Sequence, residues 1–160
     1  MRLPAILRSL VLLLVLLTTL PAFATPDAET VVKNFYAKIR PLKNFSHLSS
    51  LKNYFDPMLY RLLLQDQKNR EKNTGEICGS LDFDPFFNTQ DERRAIKNIK
   101  TIKPDFVAVT FSGDTKPNVL VKLKKINNER KIINFIYPNV GLKKNRNLIL
   151  MLKTLQQDKC

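Results

Sequence analysis

Apolar residues first recur at helical spacing between 31 and 39, where Val31, Val32, Phe35, Tyr36 and Ile39 form one stripe and Lys33, Asn34 and Lys38 fall outside it. Thr25 as a cap, Pro26 at the first helical position, and Asp27 and Glu29 in the first turn predict a helix over 26–40, which Pro41 ends. Leu48, Leu51, Tyr54 and Phe55 keep the same period and predict a second helix over 47–55. Asp56-Pro57 then restarts the chain as a third helix, 57–72, with Leu59, Leu62 and Leu63 on its apolar side.

The period is lost over 73–92. Gly75, Gly79 and Pro85 punctuate this stretch, and Leu81-Asp82-Phe83-Asp84-Pro85-Phe86-Phe87 reads as part of a long, partly buried loop. From Ala95 to Tyr137 the pattern becomes that of strands: 95–103, 106–112, 119–124 and 131–137, rich in Ile, Val and Phe. Turn chemistry separates them, with Lys103-Pro104-Asp105, Ser112-Gly113-Asp114 and Asn127-Asn128-Glu129. Connections this short demand antiparallel neighbours. Leu148, Ile149, Met151, Leu152 and Leu155 predict a closing amphipathic helix within 142–157. Helices followed by a run of strands predict one α+β domain over 25–160. Its N-terminal helices pack on a curved antiparallel sheet of about four strands, and a short helix ends it.

Ahead of that domain, residues 1–24 read as a signal peptide. Arg2 and Arg8 precede an apolar run from Leu10 to Leu20, and Pro21-Ala22-Phe23-Ala24 follows. The run has 11 residues, against about 20 for a membrane-spanning helix. With small residues Ala22 and Ala24 at the cleavage site, the mature chain is expected to begin at Thr25, to carry no integral membrane anchor, and to be secreted, in a bacterium to the periplasm.

Charge narrows the partners. The chain of 160 residues carries a formal net charge of +13, and after removal of the leader almost all of the excess lies in 91–160, with 16 basic and 6 acidic side chains. Lys116, Lys122, Lys124, Lys125, Arg130 and Lys131 cluster around the last two strands, and alternation sets Lys122 and Lys124 opposite Val121 and Leu123. Lys122, Lys124, Lys125, Arg130 and Lys131 are therefore candidates for a surface that meets an acidic protein partner; the competing reading is a solvated face kept soluble by its charge. No aromatic ladder interleaves with these cations, and an extracytoplasmic chain meets little nucleic acid, so nucleic acid is not an expected partner.

Catalytic and cofactor signatures are sparse. His47 is the one histidine and has no orienting acid beside it. Asp82, Asp84, Asn88, Asp91 and Glu92 lack the turn glycine and terminal glutamate of a calcium loop. No cysteine–histidine cluster or glycine-rich phosphate cradle is present, so neither a metal nor another cofactor is expected. The two cysteines, Cys78 and Cys160, are candidates for a disulfide in an oxidising compartment; closing a loop of about 80 residues would stabilise the fold by about 4 kcal/mol in the chain-entropy picture.

Val31-Val32-Lys33-Asn34-Phe35-Tyr36, Leu51-Lys52-Asn53-Tyr54-Phe55 with Leu59, Asp84-Pro85-Phe86, Phe106-Val107-Ala108-Val109 and Lys131-Ile132-Ile133 together resemble small secreted bacterial proteins of uncharacterised function. Those belong to the cone-shaped superfamily of nuclear transport factor two and ketosteroid isomerase. The resemblance covers most of the mature chain, although relatives often carry Trp in the last strand, where this chain has Arg130-Lys131-Ile132. It implies helices cupped by a curved sheet around a possible cavity, for which Tyr36, Tyr54, Asp82 and Asp84 are the candidate lining residues. Three functions follow as expectations: a non-catalytic periplasmic binding protein, an immunity protein that neutralises a periplasmic toxin, or a small-molecule cavity enzyme of isomerase type. The first is the leading reading, because no catalytic motif of the isomerase branch is present.

Overall fold

A computed structural model describes residues 26–42, 45–72, 79–138 and 146–157. The leader with Ala22, Ala24 and Thr25, the cysteines Cys78 and Cys160, and the side chain of His47 lie outside the described residues. The architecture is α+β. Helix α1 (Ala28–Ile39), a 3₁₀ helix (Phe45–Tyr54) and α2 (Pro57–Lys72) precede strands β1 (Ile96–Lys103), β2 (Phe106–Phe111), β3 (Val119–Ile126), β4 (Glu129–Tyr137) and β5 (Arg146–Asn147), and α3 (Leu148–Leu155) closes the chain. The strands form one antiparallel sheet in sequence order. It has one strand more than expected, because Asn147 and Arg146 pair with Ile136 and Tyr137. Two residues carry no readable period, and the pattern had merged them with the final helix, which starts at Leu148.

Helix α1 begins two residues later than Thr25-Pro26 suggested. Asp27 is the cap: it is extended, and its carboxylate accepts the Thr30 N–H at 2.7 Å, which also holds the carboxyl below its usual range. Glu29 pairs with Lys33 one turn on at 2.8 Å and accepts the Thr101 N–H of β1 at 2.9 Å, so the helix is tied to the sheet edge. The second helix is 3₁₀ rather than α. Leu48, Leu51 and Tyr54 recur every third residue, which matches three residues per turn, and Ser46, Ser49, Ser50 and Asn53 are weak α-formers. At α2, Asp56 accepts the Leu59 and Met58 N–H groups at 2.9 and 3.3 Å, as the Asp-Pro start requires.

Alternation buries Val107, Val109 and Phe111 of β2 and Val119, Val121 and Leu123 of β3 on the inner face. Strand β4 buries Ile132, Phe135 and Tyr137, a sequence that breaks strict alternation. The register explains it: Lys122 and Leu123 are consecutive on β3, yet their partners are Asn134 and Ile132, so an extra residue bulges β4 and returns Phe135 to the inner face. The β3–β4 turn has Asn127 and Asn128 at φ 48° and 64°, as a two-residue hairpin matched to strand twist needs. Helices and inner face share one core. Phe35 sits at its centre, with the rings of Tyr36, Tyr54, Phe55, Phe86 and Phe135 at 5.2 to 5.8 Å.

Two rings of that core belong to a loop. Phe86, with Pro85 and Phe87, is buried, so the loop's backbone carbonyls must find partners away from water. Two tyrosines supply them: the Tyr36 hydroxyl donates to the Phe86 carbonyl at 2.7 Å and the Tyr137 hydroxyl to that of Pro85 at 2.8 Å. Burial pushes both phenols well above their ordinary value, so they stay protonated donors at any physiological pH. Replacing either Tyr36 or Tyr137 by Phe is expected to cost about 1 to 3 kcal/mol, because a buried carbonyl loses its donor. Urea unfolding checks this; a midpoint equal to wild type for both variants would show that the hydroxyls carry no such role.

Candidate functional site

Two regions hold the candidate residues: the loop that closes the helical side of the core, and the basic end of the β3–β4 hairpin. The loop is fixed at three points. At its start, Asp66 occupies the next place on the buried stripe after Leu59, Leu62 and Leu63, where an aliphatic residue would be ordinary. Its Oδ1 accepts the Leu81 N–H at 2.7 Å and its Oδ2 meets Arg70 at 3.1 Å, while Asn69 donates to the Gly79 carbonyl at 2.8 Å. Burial raises the Asp66 pKa despite these contacts. In the middle stand the two tyrosine bonds. At its end, Asp84 accepts the Phe86 N–H at 2.9 Å and pairs with Arg93 Nε at 2.7 Å, both side chains being under 20% exposed. The other arm of the Arg93 guanidinium donates to the Ile39 and Leu42 carbonyls, the former at 2.8 Å, and the group lies 4.8 Å from the Phe87 ring centroid.

These bonds decide where the four cavity candidates stand. Tyr36 is fully buried and committed to a backbone carbonyl. Asp84 is committed to Arg93 and two loop amides. Asp82 is exposed, accepts from Gln90 at 3.1 Å, and borders an open cleft of about 340 Å³ with Phe83, Asn88, Arg146 and Met151. Tyr54 lies elsewhere, in a cleft of about 440 Å³ with Asn34, Asn53, Glu129, Arg130 and Lys131. The structure does not bring the four into one cavity, and a buried tyrosine with its hydroxyl already spent on the backbone has no proton to offer a substrate. Among the described residues, no group of three or more metal-ligating side chains converges.

The five basic candidates all sit at or near the hairpin. Across the ladder Lys124 is paired with Lys131 and Lys125 with Arg130, so like charges face each other at successive positions. Acids relieve part of this: Glu129 lies 2.5 Å from Lys131, and Asp105 3.3 Å from Arg130. Lys131 also donates to the Asn53 carbonyl at 2.8 Å, and Arg130 to that of Pro104 at 3.4 Å. The Lys131 ammonium draws the Glu129 carboxyl below its usual range. Lys122 stands 5.6 Å from the Phe106 ring centroid. Lys124 and Lys125 are exposed and make no ion pair among the described residues. Sequence reading placed the five along the strands but did not tell the tied cations from the open ones: Asp105 reaches Arg130 from the β1–β2 turn, and Glu129, two residues before Lys131 on β4, is a local signal it passed over. It also missed Asp66, Arg93 and Tyr137. Asp66 alone left a signal, as a charged residue in phase with an apolar stripe.

No family profile, curated protein or solved structure matches the chain. Among the described residues, no helix is long and apolar enough to cross a membrane.

The raised pKa of Asp66 has a signed consequence. A carboxyl that holds its proton more tightly when folded contributes stability that is full below the unfolded value, near 3.8, and is lost as pH rises through the folded value. Asp66→Asn keeps an oxygen to accept the Leu81 N–H but cannot ionise. The stability of wild type relative to this variant is therefore expected to fall as pH rises through that window and to level off above it, read by urea unfolding at several pH values. A difference independent of pH would contradict the buried carboxylate reading.

Proposed function

We propose that this is a secreted periplasmic binding protein without chemistry of its own, which meets an acidic protein partner through the open end of the β3–β4 hairpin. The observation that carries the proposal is the pairing of Lys124 with Lys131 and of Lys125 with Arg130. Directly opposed like charges cost stability in a sheet, and a fold has no need of them. Carboxylates placed there from outside would relieve the repulsion that Glu129 and Asp105 leave, and would speed encounter through the long-range field. The adjoining cleft of about 440 Å³ beside Tyr54 gives such a partner a recess with one aromatic wall. The order of helices and meander also supports placing the chain in the nuclear transport factor two-like superfamily. Against an isomerase-type cavity stand the structural commitments of Tyr36 and Asp84.

The test uses the acidic protein captured from periplasmic extract by the wild-type chain. Its association rate is expected to fall several-fold with Lys124→Gln/Lys125→Gln and to fall for wild type as salt rises, because the Debye length shrinks from ~10 Å at 0.1 M to ~3 Å at 1 M. The urea midpoint should hold or rise, since the variant removes a repulsion. Equal rates for variant and wild type at low salt would overturn the assignment.

A further inference from the structure

The ladder defines a second surface, the face of the sheet turned away from the helices. One cross-strand row runs Lys100, Ala108, Leu120, Ile136, Asn147, and the next runs Lys103, Phe106, Lys122, Asn134. Opposed residues share a face, and the intervening row of Val107, Val121 and Phe135 points into the core. The described helices bury their apolar residues in that core, on the inner side; α3 meets the outer rows at their ends alone, where Asn147 caps it and Asn134 accepts the Ile149 N–H at 3.2 Å. Lys100 and Lys103 are exposed, while Phe106, Leu120, Lys122 and Ile136 are half-buried. Neither row contains an acid. The carboxylates that border them, Asp105, Glu129 and Glu29, are closed on Arg130, Lys131 and Lys33.

We infer that this outer face docks on an anionic phospholipid surface. Three features select that occupant. The cations of the two rows are all lysines, hydrated point charges without the fixed fork of arginine, which suits a field of mobile headgroup phosphates better than carboxylates held at set positions. They flank an apolar strip of Phe106, Leu120 and Ile136, an arrangement in which lysine stems lie along apolar surface with their ammonium groups at the headgroups. A second copy of the chain is disfavoured, since stacking the face on itself would set lysine against lysine. Lys124 continues this face toward the hairpin end, so the residues that test the docking are confined to Lys100, Lys103 and Lys122, which the hairpin test leaves in place.

The test is co-sedimentation of the secreted protein with vesicles of equal parts phosphatidylglycerol and phosphatidylcholine, against vesicles of phosphatidylcholine alone, at low salt. The wild type is expected to sediment with the first and not the second. Lys100→Gln/Lys103→Gln/Lys122→Gln should weaken binding by more than about tenfold. A variant of the same net charge, Lys38→Gln/Lys68→Gln/Lys72→Gln on the helices, should stay within about threefold of wild type. Equal loss in the two variants would show that net charge alone acts and would overturn the face. Failure to sediment with either vesicle, or equal sedimentation with both, would overturn the lipid. Binding to immobilised poly-L-glutamate that the face variant abolishes, without vesicle binding, would assign the face to an acidic polypeptide instead.

Discussion

The fold turns on the cost of putting a loop's backbone in a hydrophobic core. Pro85, Phe86 and Phe87 fill the space between α1, the 3₁₀ helix and β4, and Phe86 stacks on Phe55 and meets Phe35 and Phe135 edge-on. That packing is possible only because the carbonyls it drags out of water are met by the Tyr36 and Tyr137 hydroxyls, and the amides by the Asp84 carboxylate. Arg93 then balances Asp84 and, with its other arm, closes the carbonyl end of α1. Helix, loop and sheet are thus joined through one polar network inside an aromatic shell.

Much of this architecture is written in local pattern. The stripe of Val32, Phe35, Tyr36 and Ile39, the Asp56-Pro57 start and the turn residues between strands each specify their element through short-range physics, and the α+β order follows. What the pattern does not carry is long-range pairing. Nothing near Tyr36 in sequence announces a carbonyl 50 positions away, and Arg93 reads as one more cation of a basic segment until Asp84 and Ile39 are seen around it. The 3₁₀ helix shows a subtler limit, since Leu48, Leu51 and Phe55 satisfy both a three- and a four-residue spacing and the polar residues between them decide. The β4 bulge is of the same kind: one residue shifts phase, and only the register reveals it.

Interior and surface divide the labour. Tyr36 and Asp84, which sequence would assign to a reactive cavity, hold the core together, whereas Lys124 and Lys125 at the hairpin end and Lys100 and Lys103 on the outer sheet are exposed and make no ion pair among the described residues. One antiparallel ladder underlies both basic surfaces, with three hairpin connections and three register shifts fixing its strands relative to one another. Charge placed on rigid strands steers and orients without needing a pocket, which accords with recognition rather than turnover.

If the buried loop is part of the core, it must open only when the core opens. Native-state hydrogen exchange on the amides of Leu81, Asp84 and Phe86, set beside those of Val121 and Leu123 in the central strand, tests this directly. The account predicts that the loop amides exchange with the free energy of global unfolding, as the strand amides do. Loop amides exchanging through a local opening, at several kcal/mol below the strands, would contradict it.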